Sequence, residues 1–246
     1  MQHVSFADTP LSVGEVDPHT WVLTLDAPVT PGDTARLGRM LGEAAPSGVN
    51  LMVWDETEDD PRAAIAQAGG WRRYASKAFV ESDLGRVPPV SIPDGWRLET
   101  LADLGEEEFS RRMLTASEGD PFSPSTAQTA LADLRDLIAF AEGAFKPEEW
   151  FAVSDGEPVG ALLPQVYPDD PLEGTIFYIG VVPERRGQGF GSRLHQLGLA
   201  MLRERGAVRY VGSTDERNLS MLKVFEKAGV RAVRRQTFYH RPPQTR

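Results

Sequence analysis

Six consecutive residues, Arg186-Gly187-Gln188-Gly189-Phe190-Gly191, interleave three glycines with polar and aromatic side chains, and a second arginine, Arg185, precedes them. They follow an apolar, β-branched and aromatic run from Thr175 to Val182, the composition of a buried strand. Pro183 and Glu184 end that run. Leu194, Leu197, Met201 and Leu202 then recur at helical spacing, with Leu199 flanking. Strand, glycine loop and helix in this order offer unpaired backbone N–H groups at a helix start to a single anion. Glycine also lets the main chain approach a pyrophosphate closely and take positive φ. The chemistry suggested is the holding of a phosphate-bearing ligand. A nucleotide-triphosphate loop is excluded because no Gly-Lys-Ser/Thr follows. The spacing of Gly187, Gly189 and Gly191 also departs from the dinucleotide pattern G-x-G-x-x-G. A tight strand-to-helix turn without ligand is the plain alternative.

Composition narrows the partners. The 246 residues carry a formal net charge of −10, which argues against a nucleic-acid or anionic-membrane binder. A basic patch around Arg185, Arg186 and Arg193 suits a small phosphate-rich ligand better than a polymer. There is no cysteine, so disulfides, thiolate metal sites and a cysteine nucleophile are excluded. His3, His19, His195 and His240 lack metal-ligand spacing, and no metal is expected. No apolar run reaches the roughly 20 residues of a membrane span. The N-terminal stretch holds Asp8, Glu15 and Asp17 and no apolar core, so it does not read as a secretory signal. The expected location is the cytoplasm.

The elements that must position the loop fall into two blocks. Residues 1–87 read as α/β: strands at Trp21–Leu25, Asn50–Trp54 and Ala75–Val80 alternate with helices at Pro31–Ala45 and Pro61–Gln67. Residues 88–94, within a stretch holding Pro88, Pro89 and Pro93, read as a linker. Residues 95–246 begin with a strand at Trp96–Leu101 and helices at Glu106–Ala116 and Ser125–Phe140, with Ser125 as the expected cap. A hairpin follows, Trp150–Val153 and Val159–Val166 around Asp155-Gly156. After the glycine loop and its helix come a strand at Ala207–Ser213, a helix at Leu219–Ala228 and a final strand at Val230–Tyr239.

Arg-x-x-Gly-x-Gly after a strand ending in Val-Val-Pro resembles the acetyl-CoA pyrophosphate loop of the GNAT superfamily of N-acetyltransferases. A second motif supports the resemblance: Asn218, then Phe225, then Glu226-Lys227-Ala228-Gly229-Val230, similar to the family's N-x(6)-Y-x-x-x-G-F region. The order of elements over 95–246 resembles the whole GNAT fold. The implied class is α/β (α+β): a mixed, mostly antiparallel central sheet with flanking helices. A weak internal repeat links NLMVWDE, AAIAQAGGW and YASKAFVE to VRYVGST, MLKVFEKAGV and AVRRQTFYH. Residues 1–87 are therefore read as a smaller, degenerate GNAT half without the glycine loop. An unrelated α/β cap is the alternative. The tandem layout resembles two-unit acetyltransferases of the mycothiol synthase type.

The resemblance implies acetyl-CoA as cofactor and transfer of its acetyl group to the amine of a small molecule or peptide in a ternary complex. The amides of Gly187, Gln188, Gly189, Phe190, Gly191 and Ser192 would hold the pyrophosphate, with Arg186 shaping the loop. Val181 and Val182 would pair with the pantetheine arm as an added strand does, and their amides could stabilise an oxyanion. Asn218 would reach that arm, or act as a helix cap. Phe225 stands where the family often has a tyrosine acid. The proton would then come from Tyr210, Tyr239, Ser213 or water, or the thiolate leaves unprotonated. Glu173, on the same strand face as Thr175, is the candidate base, with a solvated turn carboxylate as the alternative. His195 reads as a packing residue. The alternative function is a catalytically weak CoA-binding or regulatory module.

Overall fold

The computed structural model describes residues 3–17, 19–122 and 125–242. By packing, the chain divides into two units: residues up to Phe79 together with those from Ala232 onward, and Val80–Arg231.

The first unit holds β1 (His3–Ser5), β2 (Leu11–Asp17), β3 (Thr20–Leu25), α1 (Thr34–Ala44), β4 (Asn50–Trp54), α2 (Pro61–Ala68) and most of β5 (Arg72–Asp83). It also takes most of the last strand, β11 (Arg231–His240). β1, β2 and β3 pair antiparallel, β3 and β4 pair parallel, and β11 pairs antiparallel with β4. The sequence reading has no strand before Trp21, because Gly14 and the acids at 15 and 17 dilute the alternation of β2. Asp60 caps α2 by accepting from Arg62 N at 2.9 Å, and Pro61 takes the first helical position. The core of this unit gathers Leu11, Leu23, Leu37, Leu41, Leu51 and Tyr239.

The second unit holds β6 (Arg97–Thr100), α3 (Leu101–Ser117), α4 (Ala130–Ala141), β7 (Phe151–Ser154), β8 (Pro158–Val166), β9 (Glu173–Val181), α5 (Phe190–Glu204), β10 (Arg209–Asp215) and α6 (Leu219–Lys227). Its strands lie in the order β10-β9-β8-β7-β6, and all pairs are antiparallel except β9 with β10. This is the mixed, mostly antiparallel sheet with flanking helices that the motifs imply. Gly156, at φ 98, makes the expected turn between β7 and β8.

α3 opens with a short turn at Leu101, where Thr100 and Asp103 form a reciprocal cap; Gly105 (φ 74, ψ 163) is non-helical, and the continuous helix runs from Glu106, as read from the sequence. Two local readings shift. α4 starts at Ala130, so Ser125 is not its cap; its hydroxyl donates to Asp133 at 2.7 Å. The proline-rich stretch packs within the second unit, where Val87 and Val90 lie against its apolar clusters.

Two features of this unit set up the site. α5 lies tight on β9: a Cβ at Gly198 would stand 2.7 Å from Ile176 Cδ1. A larger residue there would lift the helix and its glycine loop off the sheet. β9 and β10 pair at Glu173 with Arg209 and at Gly174 with Tyr210. Beyond those residues β9 runs on to Val181 and β10 to Asp215 with no further pairing between the two among the described residues. The strands part, and each leaves an open edge.

Candidate active site

The glycine loop stands at the head of that parting. Gly187 (φ 75) and Gly189 (φ 87) adopt the left-handed region, and α5 begins directly after Gly189. The first helical bond of α5 runs from Arg193 N to Gly189 O at 3.2 Å. The N–H groups of the six residues from Gly187 to Ser192 have no acceptor among the described residues. A series of aligned donors at a helix start, reinforced by the helix dipole, can hold an anion. The cleft below it has a volume of about 470 Å³ and is walled by β9 (Ile179, Gly180, Val181), by Asn218 and by α6 (Met221, Val224). Lys223 and Lys227 also line it, without an ion pair among the described residues.

The other site residues read from the sequence separate into those at the cleft and those away from it. Arg186 braces the loop: Nε donates to Val181 O at 2.9 Å, and Nη2 to Ala116 O at 3.1 Å and Glu118 O at 2.6 Å. Gln188 ties the loop to the preceding turn, donating from Nε2 to Glu184 O at 2.8 Å. Phe190 is buried and stacks on Trp96. Gly191, Ser192 and Asn218 line the cleft. The Asn218 side chain also caps α6, accepting from Met221 N at 3.1 Å, so its two readings coincide in place.

Val181 and Val182 part ways. Val182 N donates to Val159 O at 3.0 Å, and its side chain is buried. By the alternation of an antiparallel ladder, the N–H groups of Val181 and Ile179 then point to the open edge. The free edge donors are those two, not Val182. Phe225 is buried beside His195 and does not line the cleft. Glu173 is not brought to the cleft either. It is the first residue of β9, at the end remote from the loop, and is ion-paired with Arg209 where the two strands are still joined.

One residue was missed. The ladder of β8 and β9 slips between Leu163 and Pro164, leaving Phe177 as an extra residue in β9. Such a bulge re-aims side chains, and both Phe177 and Tyr178 pack on the cluster under α3 and α4. The Tyr178 ring crosses Gly180 so closely that a Cβ there would lie 2.2 Å from its hydroxyl oxygen. That hydroxyl donates to Met113 O at 3.3 Å. Burial pushes the phenol well above its usual pKa, so it stays protonated through the neutral range. Tyr178 lines a second hollow of about 440 Å³ between α3, α4 and β9, and its ring lies against Gly180, which lines the cleft. The bulge has no local sequence signal.

The model of the acetyltransferase (GNAT) family matches residues 110–230. Residues 110–230 are a GNAT acetyltransferase domain. Mycothiol acetyltransferase of Thermomonospora curvata is 31% identical over 196 residues, covering 78% of this chain and 64% of the relative. That of Geodermatophilus obscurus is 27% identical over 187 residues, covering 73% and 59%. The chain spans less than two thirds of the length of these relatives. Among solved structures, a GCN5-related N-acetyltransferase from Sphaerobacter thermophilus shares the fold with a TM-score of 0.62 at 18% identity, covering 94% of this chain and 76% of that one. A tandem GNAT protein from the clavulanic acid biosynthesis pathway does so with a TM-score of 0.54 at 17% identity, covering 96% and 79%.

Inside this GNAT domain the alternative proton donors are placed as follows. Ser213 is exposed on β10. Tyr210 is buried, with its hydroxyl 3.4 Å from His195 Nε2. Outside the matched stretch, Tyr239 donates to Glu56 at 2.6 Å in the first unit. His195 has no exposed surface, and its Nδ1 has no hydrogen-bond partner among the described residues. Burial lowers its pKa to about 4, so the folded state holds it neutral.

The unfolded chain binds that proton near pH 6.5. The stability His195 contributes is therefore complete above pH 6.5 and is lost as pH falls towards 4, by up to about 3 kcal/mol. Thermal melts of the parent and of His195→Phe across that window are expected to diverge, the variant losing less on acidification. Parallel curves would show that His195 does not titrate on unfolding.

No helix among the described residues is long and apolar enough to cross a membrane.

Proposed function

We propose that this chain is an acetyl-CoA-dependent N-acetyltransferase acting on the amine of a small molecule or peptide. The observation that carries the reading is the run of six unpartnered N–H groups from Gly187 to Ser192 at the head of parted strands. Members of the GNAT family use acetyl-CoA, and the residues here fit it. Gly187 to Ser192 would seat the pyrophosphate, Lys223 and Lys227 would add positive charge beside it, and the free amide of Val181 would pair with the pantetheine arm. Arg186 holds this loop to the end of α3, which also borders the second hollow. That hollow is the natural acceptor side.

Acetyl-CoA supplies the acetyl group as a thioester, whose C–S bond breaks, with its electron pair on sulfur, as the amine lone pair forms the new C–N bond. An incoming ammonium first gives one proton to water. Tyr178, protonated and lying against Gly180, is the group suited to protonate the sulfur, in place of the hydroxyl that Phe225 lacks. It recovers its proton from the amide nitrogen being formed. Of the two edge amides, Val181 lies next to the loop and would hold the arm, while Ile179, beside Tyr178, would donate to the carbonyl oxygen as it gains charge.

Tyr178→Phe is expected to lower kcat about 100-fold, the usual weight of a positioned acid, with little change in KM for acetyl-CoA. A fall of under threefold in steady-state thiol release would move the role to water. The reading itself is tested by calorimetry with acetyl-CoA, followed by thiol release with an amine panel. Absence of binding at millimolar acetyl-CoA would end it. The buried phenyl of Phe225 favours one second reading, a CoA-binding or regulatory module; binding without amine-dependent thiol release would select it. The first unit is read as a degenerate GNAT half, because β3, α1, β4 and α2 repeat the order of β9, α5, β10 and α6 without the glycine loop.

A further inference from the structure

The second hollow is polarised along its length. At one end lie Tyr178, Ser117, Ser125 and Asp133. Asp133 is fixed at the start of α4 by Ser125 Oγ at 2.7 Å and Thr129 Oγ1 at 2.9 Å, both on Oδ2. Its Oδ1 makes no hydrogen bond among the described residues. Asp136, one helical turn on, adds a second carboxylate. At the other end Leu137, Phe140 and Phe177 are apolar, and Phe140 is 68% exposed although its ring packs 5.5 Å from that of Phe177. No lysine, arginine or histidine among the described residues lines the hollow. Phe140 is an aromatic group left partly uncovered at the mouth, on a surface otherwise free to place a polar residue there.

We propose that the acceptor is a small primary amine on an apolar aryl or alkyl body, without a carboxylate or phosphate. This rests on the acetyltransferase reading above and names its substrate class. The ammonium is drawn by Asp133 and Asp136 to the polar end, beside Tyr178 and the cleft. The apolar body lies between Phe140, Phe177 and Leu137. An acidic acceptor would meet two carboxylates and no cation. A polyhydroxylated one would set its hydroxyls against aromatic faces, where they find no partners. The volume of about 440 Å³ suits a body of one ring or a short chain.

The test uses the full chain with 2-phenylethylamine, hexylamine, glucosamine and glutamate as probes, by thiol release and by calorimetry. The two apolar amines are expected to show kcat/KM at least about tenfold above glucosamine and glutamate. Phe140→Ser is expected to raise KM for 2-phenylethylamine about tenfold and leave the Kd for acetyl-CoA unchanged. Asp133→Asn is expected to raise KM for both apolar amines alike. Preference for glucosamine or glutamate, or indifference to Phe140→Ser, overturns the proposal. If acetyl-CoA fails to bind, the acetyltransferase reading falls by itself. Calorimetry with 2-phenylethylamine alone then decides the pocket: binding weakened by Phe140→Ser supports it, and no binding at millimolar amine overturns it.

Discussion

Gly189→Val is expected to abolish acetyl-CoA binding while the chain stays folded. Gly189 sits at φ 87, ψ −1, where a side chain costs about 1–2 kcal/mol and a β-branched one more. Domains are stable by about 5–15 kcal/mol, so that strain alone does not unfold this one. A Cβ at this position meets nothing within 4 Å in the protein. The added methyl groups therefore stand in the space open to the anion, and the strained turn tilts the neighbouring amides away from a common point. A loss of at least about 100-fold in affinity, near 2.7 kcal/mol, is expected by calorimetry. Gly206→Val is the control. Gly206 has φ 95, just past α5 and away from the cleft lining, so it carries similar strain without touching the seat. Both variants should melt lower, and only Gly189→Val should lose the ligand. Retention of acetyl-CoA within threefold by Gly189→Val would show that these amides are not the seat.

The glycine loop was legible because its requirements are local. Positive φ, a strand end and a helix start are all written within Thr175 to Leu202, and α5 follows where the leucine spacing puts it. Asn218 was legible for the same reason, since capping is settled within one turn. The parting of β9 from β10 is different, because it depends on pairing between residues some 35 apart in the chain. Once it is fixed, Glu173 falls on the joined side, facing Arg209, and cannot share the fate of Val181. Face parity along a strand says which side of the sheet a residue shares, not which end of the strand lies open. Val182 shows the finer limit. Val181 and Val182 are equivalent as sequence, and only the register with Val159 decides which amide is spent. The bulge at Phe177 is a register slip of the same kind, which is why Tyr178 was invisible beside the better-known position now held by Phe225.

Cutting the chain to residues 95–246, at the boundary suggested by its prolines, is expected to give a protein without a cooperative melt. Val80 and Leu84 are 1% and 0% exposed in the core that also holds Leu199, Tyr210 and Phe225. Burying each contributes about 1.5–3 kcal/mol, and the holes left behind add to the loss. Together this approaches the whole stability of a domain, about 5–15 kcal/mol. The cut piece also keeps Thr237 and Tyr239, which are buried in the first unit, and the edge of β11 that pairs with β4. Both become exposed, and an unpaired strand edge invites aggregation. Residues 80–231 restore the two core side chains and omit the stranded segment, so this longer start and earlier stop should melt cooperatively by circular dichroism and bind acetyl-CoA. If 95–246 melts as sharply as 80–231, Val80 and Leu84 are dispensable, and the second unit begins after the prolines. The composition shift at Pro88 would then mark the true edge, and the burial of β5's last residues would be incidental to folding.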